Sequence, residues 1–416
     1  MNRMTKSAVS GLMILSAAAV LTNTTPANAQ QSEVAALRAQ LDELQARLDK
    51  MEADAKKTAD AAAKAGPSVT SKLPVTISGL AQVHSLNYFS QDGAGTRPFD
   101  TFRLRRGELR FTAPSITKRI SGTVMIDPAK ASARVRVPAI PAGGAAVPAT
   151  NLDTRARDSV LQEIQISYML NKNDGGSNFI DVGQYKIPVG YESLVSSSAL
   201  QTVERALIFT QRDPFDGGYG DVRDTGIQLR GNRGPIDYRL GVFNGFGDRQ
   251  NALAISDPKA ILGRLAYRSP QGFEIGVSGG VGNTGTGAGA PRADRNLFNV
   301  FGAYKKDKLS FQAEYLTGDS QLQNGTGVRD ISGYYGSVGY LFNPKLEGVF
   351  RYDYLDSNKA VANADVRDLV LGLNYYIKGN NAKIQTNLVK RNGGAGAAAD
   401  LQNDRMELRT NFQVSF

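Results

Sequence analysis

From about Val75 to the C-terminal Phe416 the sequence alternates apolar and polar residues with a period of two, in sixteen separate stretches. Period two is the signature of strands, whose successive side chains point to opposite faces. The predicted strands lie near 75–86, 101–112, 119–127, 159–170, 178–187, 225–231, 236–243 and 260–268. The series continues near 273–281, 296–305, 309–317, 331–342, 346–355, 367–378, 382–390 and 404–416. The pattern holds to the final residue. In MELRTNFQVSF, Met406, Leu408, Thr410, Phe412, Val414 and Phe416 fall on one face, and Glu407, Arg409, Asn411, Gln413 and Ser415 on the other. A soluble domain usually ends in a frayed polar tail instead.

The links between strands alternate in length. Those after even-numbered strands are short: PSITK, NKNDGGS, GNRGP, SPQG, KDK, NPK and GNN. Those after odd-numbered strands are mostly long and polar, as at 128–158, 188–224, 244–259, 282–295, 318–330, 356–366 and 391–403. One trimmed end and one decorated end describe a transmembrane barrel with short periplasmic turns and long outer loops. Many of the stretches approach the ~9–11 residues that cross a bilayer with tilt, whereas strands of soluble sheets average ~5–6. The expected fold is therefore all-β: a sixteen-stranded antiparallel transmembrane β-barrel over residues 73–416. An even strand number puts both barrel ends on the short-turn, periplasmic side. A mean hydropathy of −0.29 fits, because half of each strand and the loops are polar.

The front of the chain reads differently. Arg3 and Lys6, the apolar run GLMILSAAAVL and the small-residue site Ala27-Asn28-Ala29 predict a signal peptide over 1–29. Val34, Leu37, Leu41, Leu44, Leu48 and Met51 then repeat at 3, 4, 3, 4, 3, an a/d heptad seam. Residues 30–65 are thus expected to form an α-helical coiled-coil stalk in the periplasm, with 66–72 as linker after the stop at Gly66-Pro67. There is no cysteine, and His84 is the only histidine. That argues against thiol chemistry, a multi-His metal site and a histidine-based triad. Ser196, Ser197 and Ser198 lack an activating base near them in sequence. The expectation is a non-enzyme with no cofactor, no metal site and no nucleic-acid partner; His84 is expected to be a satisfied polar or interface residue.

Alternation also assigns faces. Ile164, Ile166, Tyr168 and Leu170 should meet lipid, leaving Glu163, Gln165 and Ser167 inside. Leu346, Phe350, Tyr352 and Tyr354 go outward, so Glu347, Arg351 and Asp353 go inward. An outward charge near the midplane costs ~2–4 kcal/mol. FRLRRGELRF, residues 102–111, tests this rule. With Phe102 and Leu104 outside, Arg103 and Arg105 face the lumen, but Arg106 and Arg110 fall on the lipid parity. A β-bulge at Arg105-Arg106-Gly107 would return both to the lumen; the alternative places Arg110 near the periplasmic rim. Inward arginines recur at Arg230, Arg239, Arg264 and Arg268, and are expected to line a descending track. Guanidinium stays charged and binds carboxylate or phosphate through paired donors, and arginine-lined pores select anions. The competing reading pairs these arginines with lumen carboxylates as a structural network. The formal net charge of +10 sits almost wholly on the barrel segment.

FRLRRGELRF, FIDVGQYKIPVGYE, SSSALQTVERALIF with DPFDGGYGDVRDTGIQLRG, then YRLGVFNGFGD, ILGRLAYR and LVLGLNYYI, taken in order, resemble the phosphate-selective porin O and P family. The resemblance covers nearly all of 73–416. It implies a homotrimer of sixteen-stranded barrels in the outer membrane, in contact with its lipid. It also implies a passive channel for phosphate or related inorganic anions, such as polyphosphate, and a third outer loop folded inward. That loop corresponds to 188–224, with Arg205, Arg212 and Arg223 as constriction cations and Lys186 at its entry. The loop departs from the family in lacking a lysine and in carrying Glu192, Glu204, Asp213, Asp216 and Asp221. The alternative is an envelope anchor whose stalk reaches peptidoglycan or a periplasmic partner, with only general diffusion through its pore.

Overall fold

A computed structural model describes residues 39–50, 53, 75–91, 100–114, 116–132, 160–173, 175–210, 220–246, 259–284, 293–322, 328–397 and 404–416. The signal peptide, most of the stalk, the linker and Arg212 lie outside the described residues. The chain divides into two units, Met1–Lys72 and Leu73–Phe416. In the first, residues 39–50 are helical. Arg47 and Glu43 pair at 2.7 Å one turn apart. Leu41, Leu44 and Leu48 of the heptad seam lie exposed on this helix.

The second unit is the barrel. Its strands are β1 (Thr76–Gln91), β2 (Asp100–Ala113), β3 (Ile120–Ile126), β4 (Leu161–Asn173), β5 (Gly176–Lys186) and β6 (Arg223–Arg233). They continue with β7 (Ile236–Phe243), β8 (Ala260–Arg268), β9 (Phe273–Thr284), β10 (Ala293–Lys306) and β11 (Leu309–Leu322). The last five are β12 (Val328–Asn343), β13 (Leu346–Asp356), β14 (Asp365–Lys378), β15 (Ala382–Gly393) and β16 (Arg405–Ser415). Each pairs with its sequence neighbour, and β1 closes on β16. At the seam Gly79 and the terminal Phe416 exchange backbone hydrogen bonds of 2.8 and 3.1 Å. All sixteen expected strands are present. The main difference is at the loop end, where hairpins run further than their alternation suggests. β11 reaches Leu322 and β12 begins at Val328, so the link expected over 318–330 shrinks to five residues. Glycine, serine and aspartate there hide the period-two signal although their backbones pair.

Faces follow the alternation. Ile164, Ile166, Tyr168 and Leu170 are exposed on the outer wall. Glu163, Ser167, Glu347, Arg351 and Asp353 are buried inside. Outward Tyr334 and Tyr340 on β12 stand six residues apart, ~20 Å along the strand, close to the ~25 Å apolar band flanked by aromatic girdles in such barrels. The bulge in β2 is present. Gln82 pairs with Arg106 while the next residue, Val83, pairs with Leu104, so Arg105 is the extra residue. Phe102 and Leu104 are exposed, and Arg106 is buried.

Candidate functional site: the lumen and its inward loop

The described residues after β5, 187–210 and 220–222, pack inside the barrel wall. Their apolar side chains explain why. Ile187, Val189, Ala206 to Phe209 and Val222 bury themselves against inward-facing Leu262, Leu297, Leu316, Ile331, Leu355 and Val366. Each of these wall positions is apolar where the lumen rule calls for polar, and together they make a dry seat for the loop. Gly190 has φ 75° and lies so close to Phe209 that an added Cβ would meet its ring at 2.7 Å. Glycine therefore serves there both for its conformation and for its size.

Hydrogen bonds fasten the loop to the wall. The Tyr191 and Glu192 N–H groups donate to Glu314 at 2.8 and 2.7 Å, and the Val203 N–H donates to Asn387 at 2.7 Å. Lys383 and Gln385 donate to the Leu200 carbonyl at 2.8 and 3.0 Å, and Asn374 donates to the Gln201 carbonyl at 2.8 Å. Gln413 and Gln82 donate to the carbonyls of Ser198 (3.0 Å) and Ser197 (3.3 Å). These wall partners lie on β11, β14, β15, β16 and β1. The remaining space lies against the opposite wall, β2 to β7.

That space is a cavity of about 350 Å³ lined by loop residues Ser196 and Ser197 and by a charged set. Arg110, Lys186, Arg223, Arg230 and Arg239 face two carboxylates, Glu108 and Glu163. Arg110 and Arg223 share Glu163 at 2.7 and 3.1 Å. Arg230 reaches Asp181 at 2.5 Å, and its guanidinium lies over Phe179. Among the described residues Arg239 has only Asp237 at 4.0 Å, and its Nε has no hydrogen-bond partner there. A second cavity, about 310 Å³, opens toward the loop end of β1, β2 and β14 to β16. Arg103, Arg105, Arg205, Arg351, Arg391, Arg405 and Arg409 line it with Glu204 and Asp368. Among the lining residues cations outnumber carboxylates in both cavities.

The expected site residues divide into distinct roles. Arg103 and Arg105 clamp Glu204 at 2.6 and 2.7 Å. Burial pushes the Glu204 carboxyl up, but Arg105, through charge and hydrogen bonding, and Arg106 outweigh it and hold the group well below the ordinary range. Arg106 donates to Gln82 at 2.7 Å and lies 3.7 Å from Glu108. Lys186 and Arg205 are loop cross-links rather than free constriction cations. Both reach Asp221 at 2.8 Å, and both donate to loop carbonyls, Lys186 to Ser193 and Arg205 to Glu192 and Val195. Burial raises the Asp221 carboxyl, and Lys186, Arg205 and Arg223 more than reverse that.

The descending track takes another form. Arg230 pairs directly across from Arg239, and Arg239 from Arg264, which makes a row across three strands at one register level. Arg264 is buried between Asp237 and Glu274 and donates to the Gly190 carbonyl at 3.1 Å, so it braces the loop. Arg268 shares those two carboxylates nearer the rim. Arg103 and Arg105 belong to the other cavity. His84 is not the satisfied polar residue expected. It is buried 3.7 Å from Glu204, and neither ring nitrogen is hydrogen-bonded among the described residues. Arg391, Arg405 and Arg409 were not anticipated as site residues. Alternation in β16 already places Arg409 inside. Alternation in β15 does the same for Arg391, whose two nitrogens grip Asp368 at 2.7 and 2.6 Å.

Residues 122–398 match the family model described as beta-barrel porin-2, OmpL-like. This is a porin family, though not the phosphate-selective porin O and P family. No curated protein matches the chain. Among solved structures, the anion-selective porin of Comamonas acidovorans is similar at 15% identity and a TM-score of 0.58, over 82% of this chain and 99% of that one. Salmonella typhi OmpF in complex with daunomycin is similar at 12% identity and a TM-score of 0.53, over 82% and 97%. The outer membrane channel DcaP of Acinetobacter baumannii is similar at 13% identity and a TM-score of 0.51, over 82% and 97%. At these identities the likeness is one of fold.

Proposed function

The chain belongs to the beta-barrel porin-2, OmpL-like family, and from that premise we propose that it conducts small anions passively across the outer membrane. The carrying observation is the cavity against β2 to β7. Five cations face two carboxylates there, and the Arg239 Nε has no acceptor among the described residues. An anion entering at the loop end first meets the cavity of Arg103, Arg105, Arg391, Arg405 and Arg409. It then passes the inward loop and reaches Arg110, Arg223, Arg230 and Arg239. Paired arginine forks suit carboxylate and phosphate alike. Phosphate or polyphosphate is the finer form of the proposal. It is tempered by Glu204 and Asp221, which take up Arg103, Arg105, Lys186 and Arg205.

The same reading extends to assembly. Leu41, Leu44 and Leu48 lie exposed on the helix over 39–50, as an a/d seam does in a single copy. This supports a trimeric coiled-coil stalk over 30–65, sharing the symmetry of a trimeric barrel. Fully helical, ~34 residues reach about 50 Å into the periplasm, far enough to meet peptidoglycan.

Proteoliposome flux tests the proposal. Anionic solutes should enter faster than cationic solutes of equal size, and titrated phosphate should slow chloride entry. Equal rates for both signs of charge would reject anion selectivity. Anion preference without phosphate competition would reject the phosphate form alone.

A further inference from the structure

The outer wall changes character at the rim of short turns. Tyr168, Tyr267, Phe273, Phe311, Tyr340 and Tyr375 face outward just inside that rim, where aromatic rings meet the bilayer interface. Beyond them stand four exposed cations: Arg119 in the β2–β3 turn, Arg233 ending β6, Lys306 ending β10 and Lys378 ending β14. The register places the last three on the lipid side. Arg233 pairs with Ile236, beside Asp237, which points in toward Arg264. Lys306 pairs with outward Leu309, and Lys378 with Ala382, next to inward Lys383. The Arg119 guanidinium lies 3.5 Å from the Tyr168 hydroxyl.

Among the described residues, none of the four forms an ion pair, whereas every lumen arginine named above has a carboxylate. Lys118, Lys308 and Lys345 in the turns are also exposed, and Asp307 is the one carboxylate among the described turn residues. A long cationic side chain at this depth lays its stem on apolar surface and carries its charge to the headgroup level. Basic clusters there attract anionic lipids.

We propose that this rim is a headgroup collar, in which Arg119, Arg233, Lys306 and Lys378 bind the phosphates of anionic phospholipids in the periplasmic leaflet. Outward direction and position next to the aromatic girdle favour a lipid over a polymer lying below the membrane. The collar is independent of the lumen, so it stands or falls apart from anion conduction.

The test uses the full-length protein in phosphatidylcholine bilayers containing spin-labelled phosphatidylglycerol or spin-labelled phosphatidylcholine. Electron paramagnetic resonance reads the fraction of each label held at the protein surface. Phosphatidylglycerol should be enriched about twofold or more at low salt, and the enrichment should shrink in 1 M salt, where the screening length falls to about 3 Å. The combined variant R119Q/R233Q/K306Q/K378Q should bring the two lipids to parity. Equal association in the wild type, enrichment untouched by salt, or enrichment retained by the variant would overturn the proposal. So would a variant with unchanged lipid association that no longer sediments with peptidoglycan sacculi. If the variant does not assemble, the wild-type lipid comparison and its salt response decide alone.

Discussion

Glu204 sits between Arg103 and Arg105, with His84 3.7 Å away. Arg103, Arg105 and Glu204 line the cavity by which an anion would descend, while His84 is fully buried. Substituting Glu204→Gln keeps the shape and removes the negative charge, which leaves two partly exposed guanidiniums to recruit a mobile anion. The expected result is a severalfold rise in the anion-to-cation permeability ratio; an unchanged ratio would place this cluster off the conduction path. Arg239 and Arg264 form an informative pair, since they are direct cross-strand neighbours with different surroundings. Arg239→Gln should lower anion selectivity and leave heat stability as it was, because only Asp237 at 4.0 Å loses a partner. Arg264→Gln leaves Asp237 and Glu274 short of a buried cation. Breaking a buried pair costs about 3–5 kcal/mol, so that variant should unfold at lower temperature. Equal behaviour of the two variants in both assays would contradict this division of roles.

At the level of elements, the bulge and the inward loop carry the design. Arg105 is the extra residue in β2, and the alternation on either side of it is in phase once it is removed. Deleting Arg105 should therefore still give an assembled, heat-resistant barrel in electrophoresis, with Glu204 held by Arg103 alone. Failure to assemble would mean that the bulge is needed for strand pairing. Phe209→Ala should loosen the loop from its dry seat, at about 3–5 kcal/mol for a buried aromatic. Single-channel currents should become larger and noisier while the barrel keeps its stability; an unchanged current would show that the loop does not limit the pore. The bulge was legible in sequence because Arg106 and Arg110 broke the parity that Phe102 and Leu104 set. The inward course of the loop came only from the family resemblance, and the apolar seat it docks on was not legible. Its signal lay in inward positions such as Leu297, Leu316 and Val366, which look like ordinary strand residues until the loop is known to lie on them. The bracing roles of Lys186 and Arg205 also escaped, because charge alone does not tell which atoms a side chain reaches.

For the whole molecule, the barrel was readable to a few residues at each strand, because lipid outside and water inside force a period of two in each of the sixteen strands. The proposed stalk is a separate matter of heptads, and the exposed leucines of the helix over 39–50 invite further copies. Chemical cross-linking of the detergent-solubilised protein should yield trimers, and deletion of 32–65 should weaken them while leaving conductance intact. The central claim concerns the sign of the lumen's field. The reversal potential of the purified protein in a planar bilayer under a salt gradient measures it directly. A potential near the chloride equilibrium value is predicted, since cations outnumber carboxylates in both lumen cavities. A potential near zero, or toward the cation value, would mean that Glu163, Asp181, Glu204 and their like neutralise the arginines, and that FRLRRGELRF serves the wall and not the current.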